Sequence, residues 1–524
     1  MRSRHKYYKI RENNSFYEML FDIHRLYKNR IAVKYRKNEQ IKDISYFELI
    51  DNICSIYNYF KDNNIKNLNI GIISENRYEY IPIYLSTVFS NVIAPIDREI
   101  TETKLNELLN KFDIKVLFHT NKTKSNVFEI AKKLKIKLIN IDEKFDKIVA
   151  EKYDIDEMFD SIRKISKDKF STLAFTSGTT DEIKGVMLSQ YNIVSNLCSA
   201  HKNNNLKGPY LAILPMNHTY GFNPGILTAI YRGITICINM DLKHFLKDIK
   251  EYSPYYIGAV PLVVETVYKN IMIEVKKRKK EKLFSTMIKI SNFLLKIKID
   301  IRHILFGNLL SKNLRLLVSG GASLDEFYVR KYNELGIKVL NGYGLTECSP
   351  LVSVNMDKYN VAGSVGIIID DVKVKIAKDS EILVSGPNVM LGYYKDEKAT
   401  IESMDKGYYK TGDLGYIKDK VLYITGRKKN LIILPNGKNF SPECIENKLL
   451  QLSYVKDCVV YLKDKKILAK IVLEDQTTSL DKDINLINND FPYYMRIDDY
   501  EIMETEFEKT STKKIIRSKY VKWF

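Results

Sequence analysis

Residues 70–119 read IGIISENRYEYIPIYLSTVFSNVIAPIDREITETKLNELLNKFDIKVLFH, and the texture of this stretch decides the fold class. Ile70-Gly-Ile-Ile-Ser74 is a short apolar run of strand type, and Glu79 to Asn91 carries an apolar stripe at helical spacing. Val92-Ile-Ala-Pro-Ile96 returns to strand, Thr101 to Phe112 to helix, and Lys115-Val-Leu-Phe-His119 to strand. Strand–helix–strand alternation implies parallel sheets with crossover helices. The pattern recurs downstream, where Tyr256-Ile-Gly-Ala-Val260 and Leu314-Arg-Leu-Leu-Val318 are further buried-strand candidates. The expected class is α/β, with parallel-rich sheets covered by helices.

Working outward, 524 residues correspond to roughly three or four average domains, although large α/β domains run longer. A chain 45% hydrophobic and 11% aromatic can bury a substantial core, which excludes a disordered tail, a collagen-like fibre and a coiled coil. The balance of 83 Lys+Arg against 64 Asp+Glu leaves +19, a charge that favours phosphate-bearing or anionic partners. Crowding in Lys, Ile, Asn and Tyr (36 Tyr against 1 Trp) ascribes most of that excess to compositional bias. A nucleic-acid partner is not expected, because the charge is spread and no recognised binding motif accompanies it. The cysteines at 54, 198, 237, 348, 444 and 458 form no CxxC pair and no Cys/His cluster, so reduced intracellular thiols fit better than zinc or a disulfide scaffold. MRSRHKYYKIRENN at the N-terminus has no apolar run after it, so no secretory leader is expected. The longest uncharged stretch, Gly208 to Tyr231, contains Pro215, Asn217, His218, Gly221, Asn223, Pro224 and Gly225. Breaks at that density predict a buried strand–loop–helix passage and not a bilayer span. The expected location is cytoplasmic, with peripheral contact at the inner face of the membrane as a further reading.

Residues 271–302, IMIEVKKRKKEKLFSTMIKISNFLLKIKIDIR, join a basic cluster to a helix with one apolar side. Two readings stand: a surface insertion packed on the body, and a helix lying on an anionic membrane. After Gly363 the texture shifts to short strands and turns: VKVKI, EILVSG, the turn around Gly407 and KVLYITG. Arg427-Lys428-Lys429-Asn430 is a charged, turn-prone break, and Ser441-Pro442-Glu443 opens a helix with proline near its first turn. A boundary at this break divides the chain into 1–428 and a small α+β unit, 429–524, an ordinary small-domain size of roughly 95 residues.

Four segments carry chemistry. In Ser171-Thr-Leu-Ala-Phe-Thr-Ser-Gly-Thr-Thr-Asp-Glu-Ile-Lys-Gly-Val186, the hydroxyls of Thr176, Ser177, Thr179 and Thr180 surround Gly178, with Lys184 close behind. Small hydroxyl residues plus glycine let donors close around phosphate oxygens, and lysine adds charge. The spacing differs from the G-x-x-x-x-G-K-[ST] phosphate loop. In Asn341-Gly-Tyr-Gly-Leu-Thr-Glu-Cys348, preceded by Val318-Ser-Gly-Gly-Ala322, Tyr343 offers a flat ring for a base, and Thr346-Glu347 pairs a hydroxyl with a hard carboxylate suited to hydrated Mg²⁺. In Tyr409-Lys-Thr-Gly-Asp-Leu-Gly415, Asp413 at a tight turn can accept both hydroxyls of a ribose, and Arg427 can add a donor fork. Glu508-Lys-Thr-Ser-Thr-Lys-Lys-Ile-Ile-Arg517 reads by itself as a charged tail.

Taken together and in this order, the segments resemble the adenylate-forming (AMP-binding) superfamily of acyl- and aryl-CoA synthetases, peptide-synthetase adenylation domains and luciferases. The resemblance implies a large N-terminal domain, a small mobile C-terminal one, and two half-reactions. A carboxylate attacks the α-phosphate of ATP to give acyl-AMP and pyrophosphate, and a thiol, that of CoA or of an acyl carrier protein's phosphopantetheine, then displaces AMP. It further implies that Thr176, Ser177, Gly178, Thr179, Thr180 and Lys184 form the pyrophosphate-side loop, and Gly321, Ala322 and Tyr343 the adenine platform. Thr346 would contact the α-phosphate and Glu347 the Mg²⁺; Asp413 and Arg427 would hold the ribose. Lys429 falls on the hinge, Lys514 on the lysine that bridges carboxylate and α-phosphate, and His218 on the gate to the acyl pocket. The chain departs from the family at Asp181 and Ile183, where Gly and Pro are usual, and at Glu508 and Lys513. An added carboxylate beside a triphosphate should repel it.

Amino-acid-activating relatives usually carry an Asp in the pocket, whereas Asn217-His-Thr-Tyr-Gly-Phe222 has none, so an uncharged acyl tail is expected. The Val260–Arg315 insertion and Asn436-Gly-Lys-Asn439 are similar to those of long-chain fatty acyl-CoA synthetases. The expected enzyme is thus a long-chain fatty acid–CoA ligase using ATP and Mg²⁺. A carrier-protein-loading ligase and a non-catalytic acyl or nucleotide binder stand as alternatives.

Overall fold

The computed structural model describes residues 7–123, 126–177, 182–307, 309–322, 324–434, 438–452, 454–474, 480–509 and 515–521. The chain divides into two compact units, Met1–Lys373 with Val384–Tyr409, and Val374–Leu383 with Lys410–Phe524.

The first unit contains two sheets. One has seven strands in the order Gly392–Tyr393, Ile183–Ser189, Phe170–Ser177, Val92–Ile96, Asn69–Ile73, Ile114–His119 and Lys137–Asn140. Asn69–Ile73 runs parallel to both neighbours, with Gly71 opposite Ala94 and Leu117. A Cβ at Gly71 would lie 2.7 Å from the Leu117 side chain, so the packed face requires the smallest residue there. All five residues of Val92–Ile96 are buried, as expected of a parallel strand covered on both faces. The crossover helix Tyr80–Ser90 is buried almost all round, and Pro82 sits in its first turn, where its missing N–H costs no helical bond. Glu102–Lys111 instead turns only Leu105, Leu108 and Leu109 inward.

The second sheet follows the order Ile367–Ile368, Leu351–Val354, Lys338–Gly344, Leu316–Ser319, Tyr256–Ala259, Tyr210–Ala212, Ile236–Ile238, Ile31–Lys37 and Gln40–Ser45. Pairing is parallel from Lys338–Gly344 through to Ile31–Lys37 and antiparallel at both edges. The α/β reading with parallel-rich sheets therefore holds. The uncharged passage after Gly208 is the strand Tyr210–Ala212 followed by helical turns over 219–232. No helix among the described residues is long and apolar enough to cross a membrane.

The insertion forms two helices, Pro261–Lys277 and Glu281–Lys296. Val264, Tyr268, Ile271, Val275 and Phe284 pack into the core under the second sheet. Leu283, Ile290 and Phe293 remain exposed, the last at 64%. One face of this segment is packed on the body, and the other is apolar and open.

The second unit has the antiparallel ribbon Tyr408–Lys418 and Val421–Arg427, beside Glu381–Ser385 and Lys373–Ile376. A three-stranded sheet, Val455–Lys463, Lys466–Leu473 and Asp499–Ile502, carries Glu443–Leu449 and Asp481–Asn489 against its core. The lysine-bearing break is a helical turn, Lys428–Asn430.

Candidate functional site

The motif residues of the first unit collect where strands end. Parallel strands Tyr210–Ala212, Tyr256–Ala259, Leu316–Ser319 and Lys338–Gly344 release their C-terminal loops on one edge, the usual place for ligands in open α/β sheets. Tyr220 ties three of these loops together, because its hydroxyl reaches the carbonyls of Ala259 at 3.2 Å and Val318 at 2.9 Å. A Cβ at Gly320 would lie 2.9 Å from the Tyr220 ring, which explains one glycine of the Gly320-Gly321 pair. The other adopts a left-handed φ of +85°, with Val260 Cγ1 at an ordinary 3.9 Å from a Cβ there, and is required for conformation. Ala322 follows on the exposed side of this turn.

Tyr343 is buried at the end of its strand, opposite Ser353. At Gly344 a Cβ would fall 1.9 Å from the Pro350 carbonyl oxygen, so this turn closes only around glycine. The helical turn Thr346–Cys348 follows. Side-chain amides hold it: Asn388 donates to Cys348 O at 3.1 Å, and Asn223 to Ser349 O at 3.1 Å. Thr346 Oγ1 lies 3.3 Å from Thr219 Oγ1, so the half-buried His218 stands one residue from a direct contact of Thr346.

Across this turn lies the hairpin of Phe170–Ser177 and Ile183–Ser189, which it touches. Thr176 and Lys184 face each other in register. Gly185 lets the hairpin press on Phe112, whose ring a Cβ would meet at 2.5 Å. Lys184 Nζ sits 4.9 Å above the Tyr393 ring, and the Tyr393 hydroxyl donates to Glu347 Oε1 at 3.0 Å. A second phenol, Tyr409, is 3.2 Å from Tyr393. Burial first, then the Glu347 charge, raises both phenols well above the ordinary tyrosine value, so both remain donors at neutral pH. Thr176, Lys184, Thr346 and Glu347 are thus brought together. Thr219, Tyr220, Tyr393 and Tyr409 are additions that the sequence reading missed. The Gly392-Tyr393-Tyr394 run, a glycine beside two aromatics, was the available signal.

The second unit places Asp413 opposite Arg427 in the ribbon, with Arg427 Nε 2.8 Å from Asp413 Oδ1. Asp413 is 4% exposed, so its carboxylate is already ion-paired and the arginine fork is directed at it. Lys428 pairs with Asp379 at 2.6 Å and Glu381 at 2.8 Å. Desolvation first, then Arg427 and Arg517, lowers the Lys429 ammonium below the usual lysine value. A Cβ at Gly426 would fall 1.8 Å from Ser441 Oγ, so this approach to the turn admits only glycine. Gly178, Thr179, Thr180, Asp181, Lys513 and Lys514, with the side chain of Ser177, lie outside the described residues.

The donor set suits Mg²⁺. Among the described residues no group of three or more His, Cys, Asp or Glu side chains could hold a metal by itself. A half-buried carboxylate beside a threonine hydroxyl matches an ion that takes one or two protein oxygens and completes its shell with water and substrate phosphates.

Residues 22–394 match the model of the AMP-binding enzyme family, and residues 429–524 that of the AMP-binding enzyme C-terminal domain. A long-chain-fatty-acid–CoA ligase of Mycobacterium bovis, FadD15, is 31% identical over 330 residues, covering 58% of this chain and 54% of that protein. A chloroplastic long-chain-fatty-acid–[acyl-carrier-protein] ligase of Arabidopsis thaliana, AEE15, is 27% identical over 386 residues, 60% of this chain and 52% of that one. The matched stretch thus spans about half the length of these relatives. Among solved structures, o-succinylbenzoate CoA synthetase of Bacillus subtilis in complex with its acyl-adenylate intermediate superposes with a TM-score of 0.77 at 20% identity, covering 98% of this chain and 99% of that one. This likeness establishes the fold.

Proposed function

Because this chain belongs to the AMP-binding enzyme family, we propose that it activates a carboxylic acid with ATP to give acyl-AMP and pyrophosphate, and then passes the acyl group to the thiol of CoA. The observation that carries the reading is the cluster of Thr176, Lys184, Thr346, Glu347 and Tyr393 around one edge of the first unit. Lys184 supplies fixed positive charge beside hydroxyl donors, which is what a leaving pyrophosphate needs. Mg²⁺, when bound, would supply Lewis-acid charge neutralisation on the phosphates. Glu347 would hold the ion, and the neutral Tyr393 hydroxyl orients Glu347 by donating to one oxygen. Thr346 Oγ1, fixed beside Thr219, donates toward the α-phosphate. Asp413 holds the ribose, with Arg427 paired to its carboxylate at 2.8 Å. Lys514 bridges the attacking carboxylate and the α-phosphate, Lys429 is the hinge, and 1–428 and 429–524 are the functional domains.

The acid is a long-chain fatty acid. The names of the relatives support this, as does the segment 217–222, which offers no carboxylate for a substrate ammonium. The exposed Leu283, Ile290 and Phe293 beside Lys276, Lys277, Arg278, Lys279 and Lys280 suit shallow contact with an anionic membrane that holds such a substrate. The carrier-protein acceptor is a second reading, favoured by the chloroplast relative.

The test is acid-dependent pyrophosphate exchange over a chain-length panel, followed by product mass with CoA and with holo-carrier protein. Exchange should appear with long-chain acids and Mg²⁺. Absence of exchange with every acid would reduce the protein to a binder, and thioester on carrier protein alone would exchange the acceptor.

A further inference from the structure

A cavity of about 610 Å³ lies at the other end of the second sheet. Its lining includes Arg30, Pro209 and Thr235, the residues just before Ile31–Lys37, Tyr210–Ala212 and Ile236–Ile238. These strands run parallel, so the cavity opens at their N-terminal ends, while the His218–Tyr220 loop leaves from the C-terminal end.

Five of its lining side chains are basic, Lys9, Arg11, Arg30, Lys207 and Arg232, and no Asp or Glu lines it. None of the five forms an ion pair among the described residues. Two acids that contact the neighbouring segments are engaged elsewhere: Glu12 pairs with Lys202 at 3.0 Å, and Asp357 accepts from the Asn205 backbone at 3.3 Å and from the Tyr8 hydroxyl. Two of the three arginines are held in place by aromatic rings, and Arg232 donates to Asn205 Oδ1 and the Leu206 carbonyl. The Arg11 guanidinium carbon lies 5.3 Å from the Tyr27 ring centroid and 5.0 Å from that of Tyr231, and Arg30 lies 4.9 Å from Tyr27. Arg11 Nη2 donates to the Tyr231 carbonyl, whereas Arg11 Nη1 is buried with no hydrogen-bond partner among the described residues. Gly208 and Gly233 close the rim with left-handed φ of +63° and +65°; a Cβ at either would lie 2.5 Å from Tyr255 or Tyr27.

Five like charges gather around one concavity, where a bound anion would offset their mutual repulsion. A fixed guanidinium with an unsatisfied donor, stacked on tyrosine, can donate to a phosphate oxygen. The volume is in the range that holds a small organic ligand, which leaves room for more than a bare ion. We propose that this cavity is a second ligand site, separate from the nucleotide motifs, that takes a phosphate monoester carrying two negative charges, either free in solution or as a lipid headgroup.

The test uses glycerol 3-phosphate and dihexanoyl phosphatidic acid below its critical micelle concentration, titrated calorimetrically into full-length protein saturated with AMP. One molecule per chain should bind, and Lys9→Gln/Arg30→Gln/Lys207→Gln, which changes three exposed side chains, should weaken binding at least ~10-fold. Pyrophosphate exchange in that variant should equal the parent's, which also reports that it folds. If the triple variant does not fold, Lys207→Gln alone should still weaken binding measurably at unchanged circular dichroism. Similar affinity for both probes assigns a soluble ester, and tighter binding of the lipid assigns a headgroup. No binding by the parent overturns the proposal. So does an equal loss of affinity in the remote control Lys276→Gln/Lys279→Gln/Lys280→Gln, which would mean that net charge alone attracts the probe.

Discussion

The turns Thr346–Cys348 and Lys428–Asn430 are both three-residue helical turns at strand ends, and they are stabilised in opposite ways. Around the first, neutral amide donors from Asn223 and Asn388 bind backbone carbonyls, and Thr346 meets Thr219. Around the second, charge does the work: Arg427 on Asp413, Lys428 on Asp379 and Glu381, and Asn430 on Glu443 at 2.7 Å. Neutral buried hydrogen bonds change little with salt or pH and hold a site in one geometry. Ion pairs whose cationic side chain is half-exposed are individually weak and screened by salt. The first turn is therefore suited to fixed positioning and the second to rearrangement.

The largest effect is expected at Lys514. In the proposed mechanism this lysine stabilises charge during adenylation and is carried away by the hinge before the thiol attacks. Lys514→Ala should lower pyrophosphate exchange ~10²–10⁴-fold, while preformed acyl-AMP is still converted to thioester at nearly the parent rate. Lys429→Pro should give the reverse pattern, because proline stiffens the turn. Equal damage to both half-reactions from Lys514→Ala would make this lysine structural and remove the functional asymmetry between the two turns.

Next comes the buried end of the charged network. Glu446 is buried, accepts the Val460 N–H at 2.7 Å and pairs with Arg517. Burial pushes its carboxyl above the ordinary value, and Arg517 opposes that shift. Arg517→Met should destabilise the fold by about 3–5 kcal/mol, the cost of leaving a buried charge unpaired. A carboxyl whose folded-state pKa is raised contributes stability that is present below its unfolded pKa and lost as pH rises through the folded pKa. Without Arg517 the folded value climbs further, so the deficit should be largest above neutrality and shrink toward pH 5. Urea midpoints across pH measure this, and a deficit that does not vary with pH would mean that packing, not charge, holds this unit.

Glu347→Gln is the corresponding test of the neutral turn. Glutamine keeps an oxygen for the Tyr393 hydroxyl, so the melting temperature should stay near the parent value while Mg²⁺-dependent exchange falls at least ~10²-fold. Parallel loss of stability would show that the carboxylate braces the turn.

Much of this organisation was readable because it is local. The strands at 69–73, 92–96 and 114–119 are short apolar runs buried on both faces, and such runs survive as sequence patterns. Gly320, Gly321 and Gly344 signal the turns they permit. Tyr393 was missed because it reaches Glu347 across 46 residues, and Thr219 because it meets Thr346 across 127; no periodicity encodes such pairings. The dual character of the insertion was legible only as a choice of readings. One helical stripe cannot reveal that Phe284 would be buried and Phe293, nine residues on, exposed.

The smallest effect concerns the two departures in the phosphate loop, which the structure separates. Ile183 is not a loop residue. It stands opposite Ser177 in the hairpin and is buried with Leu109, Phe112 and Leu173, and its carbonyl accepts from Lys111 at 3.1 Å. Proline there would remove a ladder donor and a packed side chain, so Ile183→Pro should cost on the order of 2–4 kcal/mol of stability and leave nucleotide affinity no better. Glu182 beside it already pairs with Lys111 at 2.7 Å, so its charge is compensated. The electrostatic part of the departure therefore rests on Asp181. A unit charge at several ångströms in a partly wet site repels a phosphate by roughly 1 kcal/mol, so Asp181→Gly should lower the KM for ATP about 3- to 10-fold, with acyl preference and melting temperature unchanged. High salt should narrow the gap between variant and parent, because screening weakens the same repulsion. An unchanged KM at low salt would mean that Asp181 faces away from the phosphates and that the loop meets ATP through its hydroxyls and Lys184 alone.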